Sequence, residues 1–221
     1  MPRATTIDRA EVAFFEALQN LLQPAAFTEE LVKGKDLSRI CGVDAAYLEN
    51  KGKVVAVSAL YVNGSLAETG VYSGRYAYPY VGDLFFLHEG PLAVAAVKKL
   101  ASKPELVCFD GQGIAHPRFK GLASICGMVL GIPSIGISKS LLVREVLPYK
   151  DNLSKLRFRG REVGYVSGSQ KKRRRNFWSP GYAVTLEVLE EILSKYEQTC
   201  LKALTKAHQL SKEYIRKVGE S

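Results

Sequence analysis

Three acidic residues stand where acids are costly to keep. Asp44 interrupts the apolar run CGVDAAY, Asp110 ends the run ELVCFD, and Glu89 lies in the segment DLFFLHEGPLAV. An ionised carboxylate among apolar neighbours needs compensation. In sequence, 45 residues separate Asp44 from Glu89 and 21 separate Glu89 from Asp110, so they act together only if the fold converges them. Two strands and a helix packed on their sheet are able to do that. At roughly 4 Å each pair of carboxylates repels by several kcal/mol at the effective dielectric of a protein. Convergence therefore requires raised pKa values or neutralising cations. Carboxylate oxygens suit Mg²⁺, with Mn²⁺ as a substitute, and Mg²⁺ commonly shares its shell with substrate phosphates. Such ions polarise a phosphoryl oxygen, activate water and stabilise a leaving oxygen. The alternative is three unrelated acids, each ion-paired or at a strand end.

The overall charge points the same way. With 31 basic against 22 acidic residues the chain carries +9, which favours a polyanionic partner or an acidic membrane surface. More than half of the excess sits in one run, Lys171, Lys172, Arg173, Arg174 and Arg175. That run is either a solvated hairpin tip or a set of phosphate contacts. A basic protein with acids on its apolar strands divides two tasks: Lys and Arg hold a polyanion, and the acids hold metal at the bond to be cut.

The elements that must position these residues are readable in outline. Asp8 and Glu11 form a capping box ahead of Val12, Phe15, Leu18 and Leu22 at helical spacing. Three strand-like runs follow, RICGVDAAYL, KVVAVSALYV and LAETGVYSGR, and the turn NGS at 63–65 makes the second and third an antiparallel hairpin. DLFFLHEGPLAVAAVKKLA reads as helix interrupted at Gly90-Pro91, ELVCFD as a strand buried on both faces, FKGLASICGMVL as helix and IPSIGISKS as strand. LRFRGREVGYVSG is hairpin material, and two helices, near 185–196 and 199–217, close the chain. In the last of these, Leu201, Leu204, His208, Ser211 and Ile215 share one face, so His208 points inward. The expected class is α/β: a three-stranded antiparallel meander plus parallel strands, flanked by helices. A single domain spanning 1–221 is expected. No apolar run reaches the roughly 18 residues of a membrane span, and the N-terminus lacks a signal-like apolar core. Cys41, Cys108, Cys126 and Cys200 lack metal-ligand spacing, and buried free thiols in a reducing cytoplasm are the expectation.

Several segments resemble one family, endonuclease V, the deoxyinosine-directed nucleases. They are GVDAAY (42–47), YPYVGDL (78–84), HEGPLAV (88–94), DGQGIAHPRFKGLAS (110–124), IGISKSLL (135–142) and SPG (179–181). DGQGIAHPR is much the most specific. The resemblance implies a ribonuclease H-like mixed sheet with the first and fourth strands adjacent at its centre. It places the metal-binding acids on Asp44, Glu89 and Asp110, and the lysine near the scissile phosphate on Lys139. His208 falls where the family has a residue beside the metal site, as a ligand or proton carrier. The base pocket falls on Gly111, Gly113, His116 and Leu142, where His116 either orders the loop by hydrogen bonding or touches nucleic acid directly; the missing Cβ atoms of Gly111 and Gly113 would let backbone groups approach a base. A base in a duplex reaches such a pocket only by leaving the stack. The family's strand wedge, Pro-Tyr-Ile-Pro, reads here Pro79, Tyr80, Val81, Gly82, followed by Asp83. The second proline is absent, an acid replaces the usual glycine, and Asp83 is a candidate helix cap. Tyr182 replaces the histidine that more often follows Ser-Pro-Gly.

The resemblance thus implies a Mg²⁺-dependent endonuclease that recognises inosine in DNA and serves DNA repair. It would hydrolyse the second phosphodiester bond 3′ to the lesion, leaving 3′-hydroxyl and 5′-phosphate ends. Deoxyinosine-containing DNA is the expected partner, and the enzyme is expected to be a cytoplasmic monomer without membrane contact. Two alternatives stand beside it: action on inosine in RNA, and a non-catalytic binder of deaminated strands.

Overall fold

The computed structural model describes residues 7–22, 32–142, 153–168 and 175–220. Helix α1 (Arg9–Leu21) begins at the expected capping box: Asp8 accepts from the Ala10 amide, and Glu11 accepts from the Asp8 amide at 3.1 Å. Strands β1 (Arg39–Leu48), β2 (Lys53–Val62) and β3 (Ser65–Arg75) form the antiparallel meander. Asn63 and Gly64 both take positive φ, 49° and 80°, as a two-residue hairpin turn requires. Helix α2 (Phe85–Val97), β4 (Leu106–Asp110), α3 (Leu122–Leu130) and β5 (Ser134–Ser138) follow, then β6 (Leu153–Phe158), β7 (Arg161–Ser167), β8 (Asn176–Pro180) and α4 (Leu186–Glu220).

All eight strands join one sheet in the order β3-β2-β1-β4-β5-β8-β7-β6. β1 pairs parallel with β4, and β4 with β5, so the first and fourth strands are adjacent near its centre. Alternation along the strands sorts side chains between two layers. Ile40, Leu106 and Cys108 pack with α4, while Cys41, Val43, Val107 and Phe109 pack with α2 and α3. Gly42 faces α4 so closely that an added Cβ would lie 2.2 Å from the Ala203 carbonyl carbon. No helix among the described residues is long and apolar enough to cross a membrane. All four cysteines are free and buried, as expected.

The structure corrects three local expectations. Helix α2 runs unbroken through Gly90 and Pro91. Pro91 lies on the exposed side, where water can satisfy the carbonyl it leaves unpaired, and Gly90 packs against Cys126. The two closing helices are one helix of 35 residues. Nothing in Glu197-Gln198-Thr199 breaks a helix, and Leu193, Cys200 and Leu204 continue one buried stripe across it. Asp83 caps no helix; α2 starts after Leu84 without a side-chain cap.

Candidate active site

Strand parity and register bring two of the acids together. Asp44 and Asp110 belong to the same alternation as Ile40, Leu106 and Cys108, so both face α4. Val43 is registered opposite Phe109 across the parallel pair, which sets Asp44 beside Asp110 at the next step. Asp44 is 5% exposed, and its Oδ2 accepts a 2.6 Å hydrogen bond from the Ser211 hydroxyl of α4. His208, one turn earlier, places Nδ1 3.3 Å from the same oxygen. That nitrogen is buried yet makes no hydrogen bond, because the contact lacks the alignment one needs. Burial pushes the Asp110 carboxyl above its usual range, and the neighbouring Asp44 adds to the rise; Lys139 and His208 oppose it.

Glu89 approaches from the other layer. It is 4% exposed on α2 and accepts a 2.8 Å hydrogen bond from the Tyr47 hydroxyl. Burial pushes its pKa up to about 8; Tyr47 opposes the rise, and Asp44 and Asp110 reinforce it. The three acids therefore feel one another. Even so, among the described residues no three His, Cys, Asp or Glu side chains lie close enough together to hold one ion jointly. Arrival from opposite faces of the sheet explains this: the aspartates form a pair, and Glu89 is drawn aside onto Tyr47. The donor set still fits a hard divalent cation. It is oxygen-rich, burial holds the Glu89 and Asp110 carboxyls in a state that a positive charge would relieve, and the bare His208 nitrogen stands beside it.

A cavity of about 330 Å³ opens beside the acids and is lined by all three, together with Gly111, His116, Lys139 and Leu142 among others. From the tip, Tyr80 and Gly82 line it, while Pro79 and Val81 do not. Tyr80 is 66% exposed, with its ring edge-on to Phe85 at 5.5 Å. Gly113 is not a lining residue. Its amide donates to Ser179 Oγ at 2.7 Å, its carbonyl accepts from the Gly121 amide at 2.9 Å, and the Gly111 amide donates to Ile137 at 3.1 Å. These backbone groups hold the loop to the sheet and are not directed at a base. Gln112 is buried beside the cavity: its Nε2 donates to Ser138 Oγ at 2.6 Å and to the Ser140 carbonyl at 2.8 Å, leaving Oε1 without a donor. Arg175 is exposed, whereas Lys171, Lys172, Arg173 and Arg174 lie outside the described residues.

His116 fastens the loop. Its Nε2–H donates to the Asp83 carbonyl at 2.9 Å, and its Nδ1 accepts from the Arg118 amide at 3.1 Å. A carbonyl only accepts and an amide only donates, so this geometry requires the neutral ring. Burial pushes its pKa down to about 4, with the Arg118 charge adding to burial, Asp83 opposing and Lys120 contributing a little. A pKa below the unfolded value favours folding above pH 6.5, and the gain fades as pH falls toward 4. Between pH 7 and pH 5 this amounts to about 2 kcal/mol. Urea unfolding at those two pH values should show the native protein losing about that much relative to His116→Gln, because the opposite contribution of the raised Glu89 carboxyl is common to both.

The residues that hold the site together carry little local signal in the sequence. Arg118 pairs with Glu16 of α1 and with Asp83, each at 3.0 Å, and hydrogen-bonds Gln19. It thus ties α1 and the segment after the wedge to the loop. His88 Nδ1–H donates to the Tyr78 carbonyl at 2.6 Å, and its ring stacks 4.6 Å from that of Tyr47. Wedge and Glu89 are therefore linked through His88 and Tyr47. Ser211 lay on the predicted inward face, and a buried hydroxyl there was the one available signal of a polar partner.

A profile of the endonuclease V family matches residues 22–203. The chain belongs to the endonuclease V family. An endonuclease V of Saccharolobus islandicus is 35% identical over 153 residues, covering 69% of this chain and 72% of that one. The Archaeoglobus fulgidus endonuclease V is 28% identical over 207 residues, 91% of this chain and 92% of that one. Among solved structures, endonuclease V of Streptomyces avermitilis superposes with TM-score 0.77 at 24% identity, covering 97% and 95% of the two chains. That of Ciona intestinalis, in complex with a 23mer DNA containing an inosine followed by a ribo-adenosine, superposes with TM-score 0.79 at 16% identity, covering 96% and 100%. The fold is the ribonuclease H-like fold of these endonuclease V structures, and the family is one of nucleases.

Proposed function

We propose that the protein is a single-domain endonuclease for inosine-containing strands, with deoxyinosine in DNA as its substrate. It hydrolyses the second phosphodiester bond 3′ to the lesion and leaves 3′-hydroxyl and 5′-phosphate ends. The observation that carries the reading is the Asp44–Asp110 pair at the edge of a cavity wide enough for a base, with exposed Tyr80 on the rim. Tyr80 takes the stacking place of the displaced base, worth about 1–3 kcal/mol. His116 and Arg118 keep the pocket loop closed. The Asp44–Asp110 pair would hold Mg²⁺, or Mn²⁺ in its place, with Glu89 joining them on release from Tyr47; an ion bound there would lower the pKa of water and neutralise charge on the phosphoryl oxygens. Ser211 orients the Asp44 carboxylate. Lys139 supplies positive charge where the pentavalent phosphorus gathers negative charge. His208 Nδ1, bare and beside Asp44, accepts or passes a proton. We assign the enzyme to the cytoplasm as a monomer in DNA repair.

The test is a labelled oligonucleotide with one deoxyinosine, incubated with protein and Mg²⁺ and mapped on a sequencing gel. A single cut at the second bond is expected, with none on an adenosine control and none in EDTA. Equal cutting of the control would overturn the reading. Substituting ribose around the inosine measures action on RNA, since only a group sensing the 2′-hydroxyl separates the two.

A further inference from the structure

Beyond Asp110 and Lys139 the surface opens into a second depression of about 640 Å³, between α4 and the β5 and β8 strands. It shares with the first cavity only Asp110, Ser138 and Lys139, so Asp110 stands on the ridge between the two. Its floor is apolar, formed by Ile137, Leu201 and Leu204, and its rim carries Arg175 and His208. A shallower continuation of about 370 Å³ shares Leu201 and Thr205, crosses α4 and reaches Tyr61, Lys202 and Lys206. Among the described residues lining one or other of the two depressions, Lys139, Arg175, Lys202 and Lys206 are cations and Asp110 is the one acid.

We infer that this groove binds the single strand on the 3′ side of the cut, the stretch that becomes the 5′-phosphate product. The inference rests on the reading of the acid pair as the cutting centre. A strand with its lesion base in the first cavity and its backbone across the acids passes next into this groove. An apolar floor, with the Tyr61 ring in its continuation, accepts bases and sugars of any sequence, and a cationic rim accepts phosphates. Lys202 and Lys206 are one helical turn apart, about 6 Å along α4, a spacing that suits consecutive phosphates. Arg175 extends the cationic rim at the other end and, in the sequence, completes the basic run that begins at Lys171.

The experiment compares single strands with one deoxyinosine followed by either two or eight nucleotides. Affinity is read by fluorescence anisotropy in Ca²⁺ over a salt series. The native protein should bind the longer strand about tenfold more tightly, a gain supplied by added phosphate contacts. Lys202→Ala with Lys206→Ala should lose that gain, flatten the long strand's salt slope by about 1.4 for two contacts, and cut the short strand at the native rate in Mg²⁺. Equal weakening on both strands, or no weakening on the long one, would overturn the assignment. Matched adenosine strands separate the two readings. The length-dependent gain and its loss should persist there, because the groove lies away from the base cavity. Absence of inosine preference in the native protein would count against the proposed substrate and leave the length comparison to decide the groove.

Discussion

Asp110→Asn is expected to abolish cleavage, with a rate loss on the order of 10³-fold or more, and to leave the affinity for a deoxyinosine strand nearly unchanged in Ca²⁺. The amide keeps the shape of the carboxylate and removes the charge. A divalent cation at this pair contributes several kcal/mol of transition-state stabilisation, and each 1.36 kcal/mol is a factor of ten in rate. The base cavity and the cationic groove are left as they are, so binding should persist. Stability separates this result from simple damage. Burial and Asp44 hold the Asp110 carboxyl above its ordinary range, so its ionised form is disfavoured by the fold. Neutralising it should leave the thermal midpoint unchanged or higher, as at other sites where function is held at the expense of stability. Native-like cutting by the variant would remove Asp110 from the mechanism, and a lowered midpoint would mark the loss as structural.

Gly113→Ala is expected to cost both folding and activity, whereas Gly111→Ala should be mild. An added Cβ at Gly113 would lie 1.9 Å from the Pro180 carbonyl oxygen and 2.6 Å from its carbon. Both belong to β8, and the Ile114 amide donates to the same oxygen at 2.7 Å. Neither backbone can yield without breaking the bonds that dock the loop on the sheet. Overpacking of this kind costs about 1–3 kcal/mol or more. The loop would shift, carrying His116 away from Asp83 and widening the base cavity, so Kd for inosine strands should rise with KM. At Gly111 the nearest atoms are Leu122 Cδ2 and Cβ, at 3.1 and 3.3 Å, and a turn of that side chain with a shift of a few tenths of an ångström accommodates a methyl group. Urea unfolding and cleavage kinetics on the two variants test the contrast; equal effects would show that contact with β8 is not what the glycine protects.

The chain declares some of this arrangement and conceals the rest for definite reasons. Local chemistry was readable: the capping box at Asp8 and Glu11, the Asn63-Gly64 turn and the buried run ending at Asp110 each carry their signal within a few residues. The acids were conspicuous because carboxylates are rare on apolar strands. The layer from which Glu89 arrives was not readable, because periodicity gives the inward face of a helix and not which side of the sheet that helix covers. Contacts such as Tyr47 with Glu89 and His88 with Tyr78 depend on that choice. β8 escaped notice because Asn176–Pro180 is five residues long and ends in proline. The glycines of the loop suggested room for a base, whereas a close neighbouring strand is what Gly113 accommodates.

The unbroken course of α4 makes it a phase-locked rod. Its first half is keyed into the core by Val188, Leu189 and Ile192, and no joint intervenes before His208 and Ser211. The azimuth of the catalytic end is therefore dictated by side chains several turns away. One residue inserted near Gln198 would rotate everything beyond it by about 100°, swinging the histidine out of the centre without altering any residue there. A four-residue insertion, close to one full turn, should restore much of the alignment while displacing it along the axis. Activity should thus rise and fall with insertion length in step with the helical pitch.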